Sequence, residues 1–429
     1  MTVVLMTVFF IGIIIGIPIA LVMGIATLAA IFADGMLPLE VLPQTLFSGI
    51  DSFPMMTIPF FMLASDLMTG GRLTDMLIKF SKDLFGHIRG GLGHANVLVS
   101  VMFAGISGSA LADAAGPGAV IMKMMRKEGY DKYYAGALSA ASSVIGPIIP
   151  PSILMVIYAL TDGKTTVTGL FLAGVLPGVL LGLVLMAANH IICVKKGYSN
   201  PSKRVSMKQL LKSFLNALPA LVVPIIILGG IRIGIFTVTE AAAVAVAYAL
   251  FVGLFVTKAL TIKNIPGIVV KSAIITSSVL LVIAMGSAFS WALTYAQVPQ
   301  HVASWMIGLT DNRLIVLFLI ALFALITGMF VDTIPAMIIL APILSPVAAQ
   351  YGADPLQVAM IIVLSLAVGM LTPPSAPLLF VISSVGRLNF SRLSIAVLPL
   401  ILAELVVILL IILIPEVSTA IPNLFGYLQ

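Results

Sequence analysis

Two seven-residue phrases set backbone carbonyls, hydroxyls and proline pairs in strongly apolar surroundings: Gly146-Pro147-Ile148-Ile149-Pro150-Pro151-Ser152 and Gly369-Met370-Leu371-Thr372-Pro373-Pro374-Ser375. Proline lacks an N–H and clashes with the preceding turn, so each pair breaks a helix and frees carbonyls at or just before Gly146 and Gly369. In hydrocarbon an unpaired peptide group costs several kcal/mol, so such backbone persists only where protein buries it or where it lines a wet cavity. Freed carbonyls are oxygen ligands of the kind a sodium ion needs. Helix halves ending at a break also aim dipole ends at that cavity, C-terminal ends favouring cations and N-terminal ends favouring anions.

Two glycine-containing turns complete the pattern. Gly105, Ser107, Gly108 and Ser109 offer flexible backbone and hydroxyls, and Thr327, Gly328, Asp332 and Thr333 offer the same with a carboxylate. The expectation is two pseudo-symmetric sodium sites. One lies between 105–109 and 146–150, with Gly146 and Pro150 in its wall; the other lies between 327–333 and 369–372, with Gly369, Met370 and Thr372. Close helix packing is the other use for such glycines in a membrane. A cargo lying between the turns would touch Ser152, Thr372 and Ser375 and the nearby Ser142 and Ser143, hydroxyls that suit a carboxylate. No arginine falls deep in the predicted core, so bound cations would balance the cargo's charge. Of the acids in apolar stretches, Asp332 is the first candidate for direct involvement and Asp113 the second. Glu240 reads equally as a helix N-terminal acid, and Asp66 and Glu404 as buried partners for hydroxyls or basic groups.

The elements that must hold these groups form a repeat. The phrase at 146 recurs 223 residues later, and the same offset carries Gly105 onto Gly328, Gly129 onto Gly352, Asp131 onto Asp354 and Ser142 onto Ser365. The chain is 61% hydrophobic and 9% charged, too apolar for a soluble surface, so the repeat lies in a membrane. Of 22 Lys and Arg, 19 fall in five segments (72–89, 123–132, 195–212, 258–271 and 387–392), which the positive-inside rule places in the cytoplasm. The loop at Gly129–Asp131 is basic, whereas its mate at Gly352–Asp354 has no Lys or Arg, so the repeats are inverted. Inverted repeats with discontinuous helices place a binding site near the midplane, as in secondary transporters.

One path satisfies all five basic segments. It has nine full spans, at 2–32, 54–71, 133–161, 168–192, 217–231, 238–257, 272–297, 355–386 and 394–414, and two re-entrant hairpins, at 90–122 and 314–350. The spans at 133–161 and 355–386 are the broken ones. The N-terminus is expected in the cytoplasm and the C-terminus in the periplasm. Leu73 to Ile88 and Met207 to Leu218 read as amphipathic helices lying at the cytoplasmic surface, either as anchors or as arms between a scaffold and a moving core.

Several functions are excluded. The basic excess is accounted for by cytoplasmic loops, so nucleic acid is no partner. One cysteine, Cys193, allows no internal disulfide or cysteine-based metal site, and four histidines (His87, His94, His190, His301) show no ligand spacing. An intramembrane hydrolase would need a motif such as HExxH or Gly-x-Ser-x-Gly, and neither occurs.

Taken together, Gly105-Ile106-Ser107-Gly108-Ser109-Ala110 with Asp113, the two proline phrases, and Gly234-Ile235-Phe236-Thr237-Val238-Thr239-Glu240-Ala241-Ala242 resemble the large membrane subunit of TRAP (tripartite ATP-independent periplasmic) transporters. The resemblance covers essentially the whole chain. It implies an all-α, inverted-repeat, elevator-type carrier in a bacterial inner membrane, driven by sodium as coupling ion and using no other cofactor. It also implies two partners, a small four-span membrane subunit and a periplasmic substrate-binding protein, with an organic acid such as sialic acid or a C4-dicarboxylate as cargo. On this reading residues 1–89 and 193–312 are the scaffold spans and arms of the two repeats, and 90–192 and 313–429 their transport units. A self-sufficient sodium–carboxylate symporter of the related divalent-anion type is the alternative.

Overall fold

Glycine and proline, more than charge, decide where the apolar runs of this chain stop. A computed structural model describes residues 1–198, 204–374 and 376–427, all helix, turn or irregular segment with no strand among them. Thr2–Ile15 (α1) ends at Gly16, whose φ of 85° lies in the left-handed region, and the chain restarts beyond Pro18 as Ile19–Asp34 (α2). The expected single span over 2–32 is therefore two helices. They fold back on each other, since a Cβ on Gly12 would stand 2.9 Å from Val22 Cγ1. The uncharged run hid this turn, which Gly16 makes by capping α1 and Pro18 by refusing to continue it.

Val41–Ile50 (α3) follows and meets the next helical stretch, a short 3-10 turn at Phe53–Met56 leading into Thr57–Gly70 (α4), at an angle of 59°. Leu73–Phe85 (α5) is the first amphipathic arm and buries Leu73, Leu77, Ile78 and Ser81 on one face. The first hairpin is Gly91–Ser107 (α6), a tip at Gly108-Ser109, Ala110–Asp113 (α7), a π-turn at Ala114–Gly118 containing Pro117, and Ala119–Lys127 (α8). The first broken helix is Lys132–Ser143 (α9) and Ile153–Asp162 (α10), and Val167–Lys196 (α11) returns.

In the second half, Met207–Arg232 (α12) is one continuous helix. The expected surface arm over 207–218 and the span over 217–231 are thus a single rod. Pro219 and Pro224 sit inside it without ending it, and its basic end meets the first arm where the rings of Phe80 and Phe214 lie 5.5 Å apart. Val238–Phe251 (α13) starts on a capping box between Thr237 and Glu240. Ile265–Tyr295 (α14) and Val298–Leu309 (α15) lead to the second hairpin, Arg313–Phe330 (α16) and Thr333–Gln350 (α17). The second broken helix is Pro355–Gly369 (α18) and Pro377–Gly386 (α19), followed by Phe390–Leu413 (α20) and Glu416–Leu424 (α21).

The repeat offset has a local cause. Gly129 and Gly352 both take positive φ, and two residues later Asp131 and Asp354 cap the broken helices. Asp131 Oδ1 accepts the N–H groups of Tyr133 and Tyr134 at 3.0 and 2.9 Å, and Asp354 Oδ1 those of Leu356 and Gln357 at 2.8 and 3.1 Å. The same turn and cap thus open both broken helices. Each then runs buried to its break: α9 is buried from Tyr134 to Ser143 and α18 from Leu356 to Gly369.

Helices α2, α4, α12, α13 and α14 pack among themselves, as do the hairpins with α9, α10, α18 and α20. The two groups meet where α14 lies against α17, α4 against α6 and α10, and the arms α5 and α12 against α6.

Candidate functional site

The first tip lies directly on the first break. A Cβ on Gly108 would stand 2.4 Å from the Pro151 carbonyl oxygen, and one on Gly146 would stand 2.9 Å from the Ser109 carbonyl carbon and 3.0 Å from the Ala110 nitrogen. Backbone meets backbone here because neither glycine carries a side chain. Gly105 sits one turn back, 3.7 Å (measured from its would-be Cβ) from the Pro150 oxygen and 2.6 Å from Pro224 Cγ on α12. Ser107 is buried and Ser109 half-buried, its hydroxyl capping α7 by accepting the Ala112 N–H at 3.4 Å.

Gly108→Ala is expected to lower stability by about 1–3 kcal/mol, because the new methyl meets a carbonyl and φ is +60°. Gly229→Ala, with open space around it, should be neutral or slightly stabilising on helix propensity. Thermal unfolding of both variants in detergent is the check, and equal midpoints would contradict the packing.

The second tip uses the same two positions differently. Gly328 and Gly369 touch each other: a Cβ on Gly369 would lie 2.6 Å from the Leu325 oxygen and 2.7 Å from Gly328 Cα. Helices α16 and α18 therefore cross with no side chain between them. Met370 is buried, Thr372 donates to the Val368 carbonyl at 2.9 Å, and Thr327 to the Phe323 carbonyl at 2.8 Å. Asp332 is exposed at the tip, where its Oδ1 accepts from the Thr333 hydroxyl at 3.3 Å. Ser375 lies outside the described residues.

Between the two tips is a cavity of about 520 Å³, within the range of sites that take a small organic ligand. Ser107–Ala112 of the first tip and Asp332–Pro335 of the second face each other across it, with Pro147, Leu154 and Met370 from the broken helices beneath. The opposite wall comes from α4 and α14: Ser65, Asp66, Lys271 and Ser278. Lys271 Nζ lies 2.9 Å from Asp66 Oδ1, with two-thirds of the lysine side chain exposed. Ser107, Gly108, Ser109, Asp332, Thr333 and Met370 of the expected site residues line this space.

Of the expected cargo hydroxyls, Ser142, Ser143, Ser152 and Thr372 do not. Ser142 and Ser143 are fully buried behind the tip and donate to the Ser139 carbonyl at 3.2 and 2.7 Å. Ser152 donates to the Pro147 carbonyl at 2.5 Å and caps α10 by accepting the Met155 N–H. Thr372 is half-buried and likewise bonded to backbone. These hydroxyls hold the breaks in shape. The basic group that sequence reading missed is Lys271, counted there with the cytoplasmic lysines. It and Asp66 are 205 residues apart, and no local pattern pairs them. Of the other acids, Glu240 is exposed and occupied in its capping box, while Glu404 is fully buried with neither oxygen hydrogen-bonded.

A family model described as "Tripartite ATP-independent periplasmic transporter, DctM component" matches residues 6–417, both hairpins and both breaks included. Over 416 residues the chain is 39% identical to the sialic acid TRAP transporter large permease protein SiaM of Vibrio cholerae, covering 96% of this chain and 97% of that one. It is 34% identical over 424 residues to the C4-dicarboxylate TRAP transporter large permease protein DctM of Rhodobacter capsulatus, covering 96% of each. Against the sialic acid TRAP transporter permease protein SiaT of Haemophilus influenzae identity is 38%, over 96% of this chain but 66% of that longer one. Among solved structures, the YdaH transporter of Alcanivorax borkumensis shares the fold with a TM-score of 0.63 at 16% identity, covering 92% of this chain and 90% of that one. With two tips resting on two breaks around one cavity, and with relatives matched nearly end to end, the chain belongs to the DctM component family of tripartite ATP-independent periplasmic transporters.

Proposed function

We propose that this chain is the transporting subunit of a sodium-driven carrier that imports an organic acid across a bacterial inner membrane. The observation that carries the reading is the cavity between the hairpin tips, which has an ammonium group in one wall and helix starts and carbonyl-rich breaks in the other. The cargo is of the sialic acid or C4-dicarboxylate type, the anions named for the relatives. Lys271 would meet its carboxylate, and sodium bound beside Gly105–Ser109 with Gly146–Pro150, and beside Thr327–Thr333 with Gly369–Thr372, would balance the remaining charge. The donors there are backbone carbonyls, hydroxyls and one carboxylate, the oxygen set that a hard cation takes.

A small membrane subunit would sit against this chain, and a periplasmic binding protein would deliver the cargo. The hairpins with their broken helices would move as one body against the scaffold, in an elevator motion. Two features support this: each tip is locked to its own break by glycine contacts, and the cavity lies between the tips on one side and α4 with α14 on the other. With the basic segments in the cytoplasm, Asp34 faces the periplasm. Because α1 and α2 fold back on each other, the N-terminus then belongs on that side too, in place of the cytoplasmic position expected from a single span.

The test is uptake of labelled sialic acid and of succinate into proteoliposomes containing this chain and its small subunit. Uptake that needs both the binding protein and an inward sodium gradient is the expected result. Uptake with sodium alone would mark a self-sufficient symporter, and uptake indifferent to sodium would contradict the coupling.

A further inference from the structure

Behind the first tip lies a second group of oxygen atoms, which the cavity does not reach. Asn96 and Ser100 stand one turn apart on α6, Ser139, Ser142 and Ser143 sit on the buried α9, and Asp113 comes in from the end of α7. Each of the six is at most 1% exposed.

Asn96 Nδ2 donates to Ser139 Oγ at 2.8 Å and Ser100 donates to Ser142 Oγ at 3.1 Å. The Ser142 and Ser143 hydroxyls go to the Ser139 carbonyl. Ser100 and Ser143 flank the Asp113 carboxylate within hydrogen-bonding reach, and each hydroxyl also has a second acceptor close by, Ser142 Oγ for Ser100 and the Ser139 carbonyl for Ser143. Neither Asp113 oxygen has a donor committed to it alone, and Asn96 Oδ1 has none. Neither ion pair among the described residues involves Asp113.

A fully buried carboxylate with no cationic partner, and with at most two shared serine hydroxyls beside it, is strongly disfavoured in a low-dielectric interior. One cation would satisfy it. The ligand atoms are all hard oxygens, without sulfur or imidazole, and they carry a single negative charge. That matches an alkali cation better than calcium, which generally takes several carboxylates. The π-turn at Ala114–Gly118 adds to the case: Pro117 has no N–H to give the Asp113 carbonyl four residues earlier, and such turns occur often at functional sites.

We propose that Asp113, with Ser100 and Ser143, forms a further sodium site buried beneath the first hairpin, separate from the two sites at the tips. Its ion would fasten the hairpin to α9, so that entry and release require the hairpin to loosen. The choice of sodium rests on the proposed coupling, whereas the placement rests on the orphaned carboxylate.

The test is saturation binding of ²²Na⁺ to the purified full-length carrier in nanodiscs, alongside thermal stabilisation by NaCl against choline chloride at equal ionic strength. Asp113→Asn keeps the side-chain shape and should bind one ion fewer per chain than the parent, with part of the sodium-dependent stabilisation lost. Ser143→Ala, a milder change, should keep the count and weaken sodium affinity by roughly three- to tenfold, the worth of one modest oxygen contact. Unchanged ion count and affinity in both variants would overturn the site. So would a parent that takes up a proton at this position, seen as a pH dependence that Asp113→Asn abolishes while its ion count stays the same. A parent that binds no sodium at all would refute the sodium-driven reading itself, and would be recognised because the variants then differ from it in nothing.

Discussion

Lys271→Gln is expected to raise the KM for an anionic cargo by roughly 10- to 100-fold while leaving the protein folded. Lys271 is the ammonium in the wall of the cavity between the tips, and its exposed side chain is free to exchange Asp66 for a cargo carboxylate. A hydrogen bond to a charged group is worth about 1.5–3 kcal/mol, which converts to that range of affinity. The Lys271–Asp66 pair is partly solvated and contributes at most about 1 kcal/mol to stability, so the unfolding midpoint should barely move. Lys271→Arg keeps the charge and should recover much of the loss. Asp66→Asn removes the competitor and should lower KM or leave it unchanged. Uptake kinetics for the three variants decide the matter, and a Lys271→Gln carrier with the parent's KM would remove Lys271 from the cargo site.

Gly369→Ala should reduce transport to near background, the larger effect of the two and one of structure. The added methyl would fall 2.6 Å from the Leu325 carbonyl oxygen and 2.7 Å from Gly328 Cα, both backbone atoms that cannot rotate away. Overpacking usually costs about 1–3 kcal/mol when side chains can yield, and the cost here should reach or exceed the top of that range. The relief available is for α16 to lift off α18, which would pull the second tip from the cavity. Hydrogen exchange across α16 and α17 should rise while α1–α4 stay protected. Wild-type uptake by Gly369→Ala would show that the hairpin need not stay seated on its break during transport.

Where the sequence spoke through local chemistry, it was legible. The prolines that break α9–α10 and α18–α19 act on their own helices, and the glycine-plus-aspartate start of each broken helix is a turn and a cap within three residues. The repeat could therefore be read without knowing any contact. What stayed hidden depends on distance or on what a side chain does with its proton. Ser142 and Ser143 occupy a plausible place for cargo, but each hydroxyl reaches the Ser139 carbonyl on its own helix and turns inward. The pairing of Asp66 with Lys271 exists only once α4 lies beside α14. The fold-back of α1 on α2 and the continuity of α12 share one cause: hydropathy marks which residues avoid water but not where an apolar rod bends. Gly16 with Pro18 bends one helix pair, whereas Pro219 and Pro224 leave α12 unbroken.

The most direct test of the whole account is a cryo-EM map of the carrier with saturating sodium and the cargo that uptake identifies. Cargo density is expected between Ser107–Ala112 and Asp332–Pro335, with its carboxylate toward Lys271 and ion density at each tip. Cargo density away from both tips, or a cavity that stays empty under conditions supporting transport, would contradict it.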